Sequence, residues 1–472
     1  MSDATESQGR SGTRLAEYGI EDKPDLEKAI PLGIQHLLAM FLSTVALPLV
    51  IAGAIGLSSA DTQFIVQMAL LVAGVATIVQ VYPLGPVGAK LPIVMGTSAI
   101  FVAPLISIGS EFGLAAIFGA VLVAAPIEVI IGYFFDDVKR LFPPLVTGIV
   151  VMLVGLTLIP IAMQYSAGGP GADTYGNLAN LGLAGLVFVV AVVLNQFFSG
   201  FLRAGAVLVA VVVGYLAAIP LGLLDLSGVA SAGWVSVPVP LSYGLAFEPS
   251  AIIVVAFAYV ITSMETIGDI SGTTESVGRD PTSEEVKGGL VADGVMSAFA
   301  AVFNAFPNTS FSQNVGLIGF TGVASRFVVA ITGVFLVVLG FIPKVAAVVS
   351  AMPAPVLGGA AVVLFGMIIS IGLRIISRGA ALTQRNLTII AVSLVLGVGV
   401  EVQSDILVNV PSDIQVLVGS GLISGGVTAL VLNAVLPEGD DAARGPESDP
   451  DPAVDSVDED ITDTDEEAAT GN

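Results

Sequence analysis

The chain of 472 residues contains no cysteine and a single histidine. Without cysteine there is no disulfide, no thiol chemistry and no zinc-thiolate site, and one histidine excludes a multi-histidine metal centre. Charge is also scarce: 12% of residues are charged against 55% hydrophobic, with a mean hydropathy of +0.93. One soluble core cannot bury so large an apolar fraction while covering itself with so few charges. The apolar runs do not alternate with polar residues as β-barrel spans would. They recur in lengths of roughly 20 residues, as in LGIQHLLAMFLSTVALPLVIAG and TQFIVQMALLVAGVATIV, each long enough to cross about 30 Å of hydrocarbon as a helix. The sequence therefore reads as an all-α polytopic membrane protein.

The formal net charge of −23 is unevenly spread. Residues 438–472 hold 14 Asp or Glu and one Arg, a balance of 1 − 14 = −13, among Pro, Ser, Thr and Gly. Such a segment has too little apolar surface to fold and is expected to be a disordered, acidic cytoplasmic tail. Residues 1–30 add seven acids against four bases and lack the apolar core of a cleaved signal peptide. An acidic chain with only six Lys is also what a high-salt organism favours.

Turn signals cut the apolar chain into about 14 spans, centred near residues 42, 71, 99, 122, 152, 187, 212, 261, 296, 316, 334, 362, 394 and 424. With both termini cytoplasmic, 15 of the 16 basic residues fall on inward connections and only Lys344 faces outward, as the positive-inside rule requires. An internal repeat is visible: Pro144 and Gly148 match Pro355 and Gly359 at an offset of 355 − 144 = 211, and Pro92 matches Pro307 at 307 − 92 = 215. Seven spans is an odd number, so the second copy enters from the opposite side and the chain is a 7+7 inverted repeat. Spans 3 (LPIVMGTSAIFVAPL) and 10 (FPNTSFSQNVGLIGFTG) are short and interrupted by Pro or Gly. A pair of this kind at matching repeat positions points to half-helices whose N-termini meet near the bilayer centre, where free N–H groups receive a polar solute.

Polar residues inside apolar spans are expensive and mark function. Glu265 lies near the middle of span 8, and Asp269 follows one turn later on the same face. Glu265 is expected to face a cavity and to carry a proton. Asp269 reads either as a second working carboxylate or as a wet interfacial residue, and Asp293 in span 9 either as a partner of span 10 or as an interfacial acid. His36, one turn into span 1 beside Gln35, reads as a structural donor or a proton shuttle; Glu128, at the inner end of span 4, is left without a role. In the span 10 half-helix Asn314 suits capping. Gln313 offers one acceptor and one amide donor, able to read an edge of a planar heterocycle.

These residues resemble the nucleobase–ascorbate transporters, in particular their xanthine/uracil permease branch. That family's signature has the form Q/E-N-x-G-x-x-x-x-T followed by Gly, Arg or Lys, and Gln313, Asn314, Gly316, Thr321 and Gly322 fit it. The QH pair of span 1, MGTSAIFVAP of span 3 and ETIGD of span 8 are similar to family segments in the same order, over residues 31–437. The resemblance implies 14 spans in two domains. A core takes spans 1–4 (31–137) and 8–11 (250–345), and a gate takes spans 5–7 (138–249) and 12–14 (346–437), with homodimerisation through the gate. Between the half-helices, Glu265 and Gln313 would hold the base and the backbone around Ser98 and Ala99 would lie near it. Asp269, Asp293, His36, Asn314 and Thr321 would support binding and coupling. The family often has an aromatic where Ala99 stands, which makes Phe101 a replacement stacking partner.

The implied activity is secondary active uptake across the cell membrane by elevator-type alternating access, with no enzymatic step, no cofactor and no nucleic-acid partner. Protons are the expected coupling ion and Na+ the alternative, with Asp269 and Asp293 as its ligands. The ETIGD segment resembles purine-transporting members, favouring xanthine or urate. Uracil transporters tend to carry His after the Glu, and ascorbate transporters Pro before the Asn. Two rivals of other classes remain. An anion transporter of the related 7+7 fold would want Arg or Lys near the half-helix N-termini, where the sequence shows none; an intramembrane enzyme would need a nucleophile–base set or metal site that the composition does not supply.

Overall fold

A computed structural model describes residues 17–138, 143–411, 414–415 and 418–437. The expected acidic tail, the first 16 residues and the bases Arg10, Arg14, Lys139, Arg140 and Arg444 lie outside the described residues. Helices dominate, because in hydrocarbon each backbone N–H and C=O must be satisfied within its own segment. All fourteen expected centres fall in helical segments. By length and composition, however, eight described helices can cross a membrane: Leu26–Ala54, Ser59–Val81, Leu114–Tyr133, Pro144–Ser166, Leu178–Phe197, Pro249–Glu275, Ala354–Gly379 and Gln384–Val402. Arg326–Gly340 and Pro343–Ser350 make a ninth if they are taken together across their 84° bend. The other segments fall short for physical reasons. Ala206–Ala218 and Gly421–Val435 are brief, and Ser283–Val302 carries Glu284, Glu285, Lys287 and Asp293.

The all-α expectation also needs one correction. Spans 3 and 10 each start as an extended strand, β1 (Met95–Thr97) and β2 (Asn308–Ser310), which are buried along their whole length and pair antiparallel. Gly96 sits opposite Thr309, and 309 − 96 = 213 falls between the two repeat offsets read from the prolines. The flanking bonds obey the same relation. Ser98 N donates to Pro307 O and Phe311 N to Val94 O, both at 3.0 Å; adding 213 to 98 and 94 gives 311 and 307. Each bond is the repeat mate of the other, the register that a local two-fold axis through the strand pair produces.

Packing follows the same pseudo-symmetry, with small residues letting backbones touch. Ser59–Val81 lies along Arg326–Gly340, and its counterpart pair is Ser283–Val302 along Pro126–Tyr133. A Cβ on Gly74 would stand 2.6 Å from both Gly333 O and Val337 N. Both are backbone atoms of one helix, so no side-chain rotation relieves the clash. Gly74→Val is therefore expected to force the helices apart at about 1–3 kcal/mol or more, read as loss of the monodisperse peak and a lowered Tm in detergent.

Candidate functional site

The two strands deliver two helix N-termini to one place. After β1 a helical turn at Ala99–Phe101 leads into Val102–Phe112, and after β2 comes Ser312–Thr321. Pro104 lies inside the first of these rather than ending it, which is tolerated because first-turn N–H groups have no intrahelical partner. Thr97, Ser98 and Ala99 from one copy, and Thr309, Ser310, Phe311 and Gln313 from the other, line a single small cavity. Glu265 and Ser43 complete its polar wall, and Val151, Leu364, Phe365, Ile368 and Ile371 form the opposite apolar wall. Neither Glu265 nor Gln313 has a hydrogen-bond partner among the described residues, and the buried hydroxyls of Thr97 and Ser98 have none either.

The neighbouring acids are arranged differently. Asp269 accepts from Ser310 Oγ and Ser312 Oγ, both at 2.6 Å. Asp293 accepts from the Thr266 hydroxyl and, at 3.5 Å, from Gln80 Nε2, while Thr266 and Thr309 hydroxyls lie 3.3 Å apart. Asp269 thus fastens the helix Pro249–Glu275 to β2 and the helix that follows it, and Asp293 fastens Ser283–Val302 to Pro249–Glu275 and to Gln80 of Ser59–Val81. Glu128 is fully buried and accepts from the Thr262 hydroxyl. Sequence reasoning offered span 10, with its Thr and Ser side chains, as the partner of Asp293, but missed the Thr hydroxyls of the helix Pro249–Glu275 and the pairing of Ser310 and Ser312 with Asp269. The available signal was the spacing of Thr262, Thr266 and Thr273, which puts them on the helical face of Glu265 and Asp269.

Other expected residues fall outside the cavity wall. Asn314 does not cap its helix: the position before the first helical residue is Phe311, with no side-chain cap. Instead Asn314 Nδ2 reaches across to the first long helix, 3.1 Å from both His36 Nδ1 and His36 O. The reason is register, since Asn314 already lies inside the first turn with its side chain pointing away from the free amides. Asn314→Ala is expected to cost about 1–3 kcal/mol by stranding His36, read as a lower Tm without substrate. Phe101 is 0% exposed and packs edge-on against Tyr259 with ring centroids 4.8 Å apart, so the structure does not bring it to the cavity. Thr321 lies at the far end of its helix, where its hydroxyl donates to Leu317 O and accepts from Val323 N.

The cavity measures about 40 Å³, room for a few waters and far below the ~300–1,000 Å³ of typical ligand pockets. It adjoins a vestibule of about 350 Å³, with Ser43, Gln313 and Leu364 lining both. The vestibule continues to Met367 and Arg374 on the helix Ala354–Gly379 and to Arg203 opposite. From Leu364 to Arg374 is ten residues, about 15 Å of helix. Among the described residues no Arg or Lys lines the small cavity at the helix N-termini; two arginines, Arg203 and Arg374, line the vestibule beyond it, the latter those ten residues along the helix from the shared wall.

Comparison with known proteins agrees with this architecture. A family model described as a permease family, Xan_ur_permease, matches residues 27–406. The xanthine permease XanP of Escherichia coli K12 is 41% identical over 438 residues, covering 89% of this chain and 94% of that protein. The uric acid permease PucK of Bacillus subtilis is 38% identical over 404 residues, covering 85% and 94%. Among solved structures, the transmembrane domain of the cyanobacterial bicarbonate transporter BicA superposes with a TM-score of 0.60 at 14% identity, covering 87% of this chain and 99% of that one. The murine anion transporter Slc26a9 gives 0.60 at 14% identity, covering 89% and 69%; both likenesses concern the fold alone. With the motif residues, the family model and these relatives in agreement, the chain belongs to the xanthine/uracil permease branch of the nucleobase–ascorbate transporter family, a family of membrane permeases and not of enzymes.

Proposed function

We propose that the protein takes up a purine base of the xanthine or urate type across the cell membrane, driven by protons and working by elevator-type alternating access between a core and a gate. The observation that carries this reading is the polar wall of the small cavity. Glu265 and Gln313 meet there at the N-termini of two half-helices, without protein partners among the described residues, beside the unpartnered hydroxyls of Thr97 and Ser98. A planar base presents ring N–H donors and carbonyl acceptors; Glu265 takes a ring N–H, and Gln313 supplies a paired acceptor and donor. The relatives' names, xanthine permease and uric acid permease, point to the same substrate class, and ETIGD at 265–269 lacks the His expected of a uracil transporter.

Glu265 is our choice of proton carrier because a carboxylate that crosses a low-dielectric region must be able to lose its charge. Asp269 and Asp293 already receive hydroxyl and amide donors on both oxygens, whereas Glu265 has no hydrogen-bond partner among the described residues, which favours Glu265 over either of them as the working carboxylate. The strand register supports a 7+7 inverted repeat of 14 segments with half-helices at segments 3 and 10. The inward placement of Lys23, Lys28, Lys90, Arg203, Arg279, Lys287, Arg326, Arg374, Arg378 and Arg385 supports cytoplasmic termini. The vestibule is then an inward-facing path, and its closure against the gate, in a homodimer joined through gate domains, completes the cycle. The test is uptake of labelled xanthine, urate, uracil and sulfate into vesicles with proton and sodium gradients imposed separately. Proton-driven xanthine or urate uptake is expected; sulfate uptake without nucleobase uptake overturns the reading.

A further inference from the structure

We infer that the vestibule is a second binding site, for a purine nucleoside monophosphate, with the phosphate on Arg203 and Arg374 and the base toward Gln313. The inference rests on the proposed function for its consequence: a nucleotide seated there holds core and gate together and stops the carrier. The opening measures about 350 Å³, within the ~300–1,000 Å³ of typical ligand pockets. Leu26–Ala54 and Ser312–Thr321 form one side of it, and Leu178–Phe197, Gly200–Ala204, Ala206–Ala218 and Ala354–Gly379 the other. Gln313 stands where vestibule and cavity share a wall. Arg203 and Arg374 are exposed and have no hydrogen-bond or ion-pair partner among the described residues, of which no Asp or Glu lines the opening. Three other arginines are matched. Arg279 holds Glu285 through two bonds of 2.8 and 2.5 Å, Arg326 pairs with Glu21, and Arg385 donates to Leu436 O at 3.1 Å and Asn433 O at 2.6 Å. The vestibule pair is thus a concave, positive surface without a counter-charge.

A guanidinium presents its N–H groups in a planar fork that fits phosphate, and such charge-assisted bonds are the strong ones. The opening offers more than an inorganic anion would use. Leu364 and Met367, one turn apart on one helix face, give a ring apolar surface. Gln313 gives its edge an acceptor and a donor, and Asn195, whose amide has no partner among the described residues, faces the same space for sugar hydroxyls. A bare base has no group to place on the arginines while its edge lies at Gln313. A nucleotide does, because the sugar carries the phosphate away from the ring. The reaction class that supplies this ligand is phosphoribosyl transfer, in which a ring nitrogen of the imported base displaces pyrophosphate from an activated ribose phosphate. In the proposed division Gln313 belongs to the core, and Arg203 and Arg374 to the gate. A base held by Glu265 and Gln313 takes its polar contacts from the core alone and moves with it; a nucleotide ties core to gate, so accumulated product slows further uptake.

The test is calorimetric titration of the full-length protein in detergent with xanthosine monophosphate, xanthosine, inorganic phosphate, xanthine and urate, each alone. The nucleotide is expected to bind about tenfold or more tighter than xanthosine or phosphate. Arg203→Gln with Arg374→Gln is expected to remove that preference. Xanthine and urate should stay within about twofold, since about 15 Å of helix separates Arg374 from the shared wall, more than the ~10 Å Debye length in about 0.1 M salt. Both arginines are exposed and unpartnered, so the fold is spared, and the ligand comparison on the unaltered chain stands without the variant. A nucleotide no tighter than xanthosine or phosphate overturns the inference, as does a preference that survives the arginine substitutions. An equal loss for urate, whose charge lies on the ring, also overturns it, by making the pair a steering charge for substrate. Calorimetry requires no transport, so nucleobase uptake without nucleotide preference removes only this inference, and nucleotide preference without nucleobase uptake removes only the proposed function.

Discussion

Glu265→Gln is expected to abolish gradient-driven uptake while leaving the protein inserted and monodisperse. Gln matches the shape of a carboxylic acid but cannot exchange a proton, so any cycle that needs Glu265 to change charge stops. In the proposed binding mode Glu265 also accepts from a ring N–H, and an amide that cannot follow the change of protonation state is expected to loosen the base by about 1 kcal/mol, roughly fivefold. The fold is spared because Glu265 has no hydrogen-bond partner among the described residues, so the substitution strands nothing. Asp269 is the internal contrast: it accepts from Ser310 and Ser312 at 2.6 Å, so Asp269→Asn turns one good acceptor into a donor facing a hydroxyl and lowers the folded yield as well as the rate. Uptake into vesicles under an imposed proton gradient, set beside a size-exclusion profile, separates the two variants. Wild-type uptake by Glu265→Gln would remove Glu265 from the coupling role.

The features legible in the sequence were those in which a residue type conflicts with its surroundings. Glu265 stands out because a carboxylate in an apolar run is costly, and Gln313 because an amide in such a run demands a partner. The prolines gave an offset that the pairing of Gly96 with Thr309 reproduces, since a repeat in the chain becomes an axis in the fold. Direction was not legible. Phe101 belongs equally well in a core or against a ligand, and only packing against Tyr259 decides. Asn314 satisfies the composition of a cap, yet a shift of three residues in where the helix starts turns it toward His36. Which acid Ser310, Ser312 and Thr266 meet was not legible for a different reason: hydroxyls are common in membrane helices, where each can satisfy itself on a backbone carbonyl of the preceding turn. Their importance appears only when the fold brings a carboxylate within reach.

Gln313→Ala is expected to weaken base binding by about 1–3 kcal/mol, or about 5- to 150-fold, without changing the proton dependence of what uptake remains. The side chain stands in the first turn of Ser312–Thr321, lines the cavity and the vestibule, and has no hydrogen-bond partner among the described residues. Its removal is therefore expected to leave helix and strand pair intact and to take away only groups that line the cavity and the vestibule. A base entering the altered site would bury a donor and an acceptor with no partner, which is where the affinity is lost. Gln313→Glu separates the two halves of the amide: it keeps an acceptor and discards the donor, so ligands presenting a carbonyl oxygen there should be weakened more than ligands presenting an N–H. Competition by xanthine and by analogues lacking one carbonyl, measured on both variants, reads the difference. An unchanged affinity in Gln313→Ala would mean that the amide faces water in the working state and that the recognising edge belongs to the Thr97–Ala99 side of the cavity.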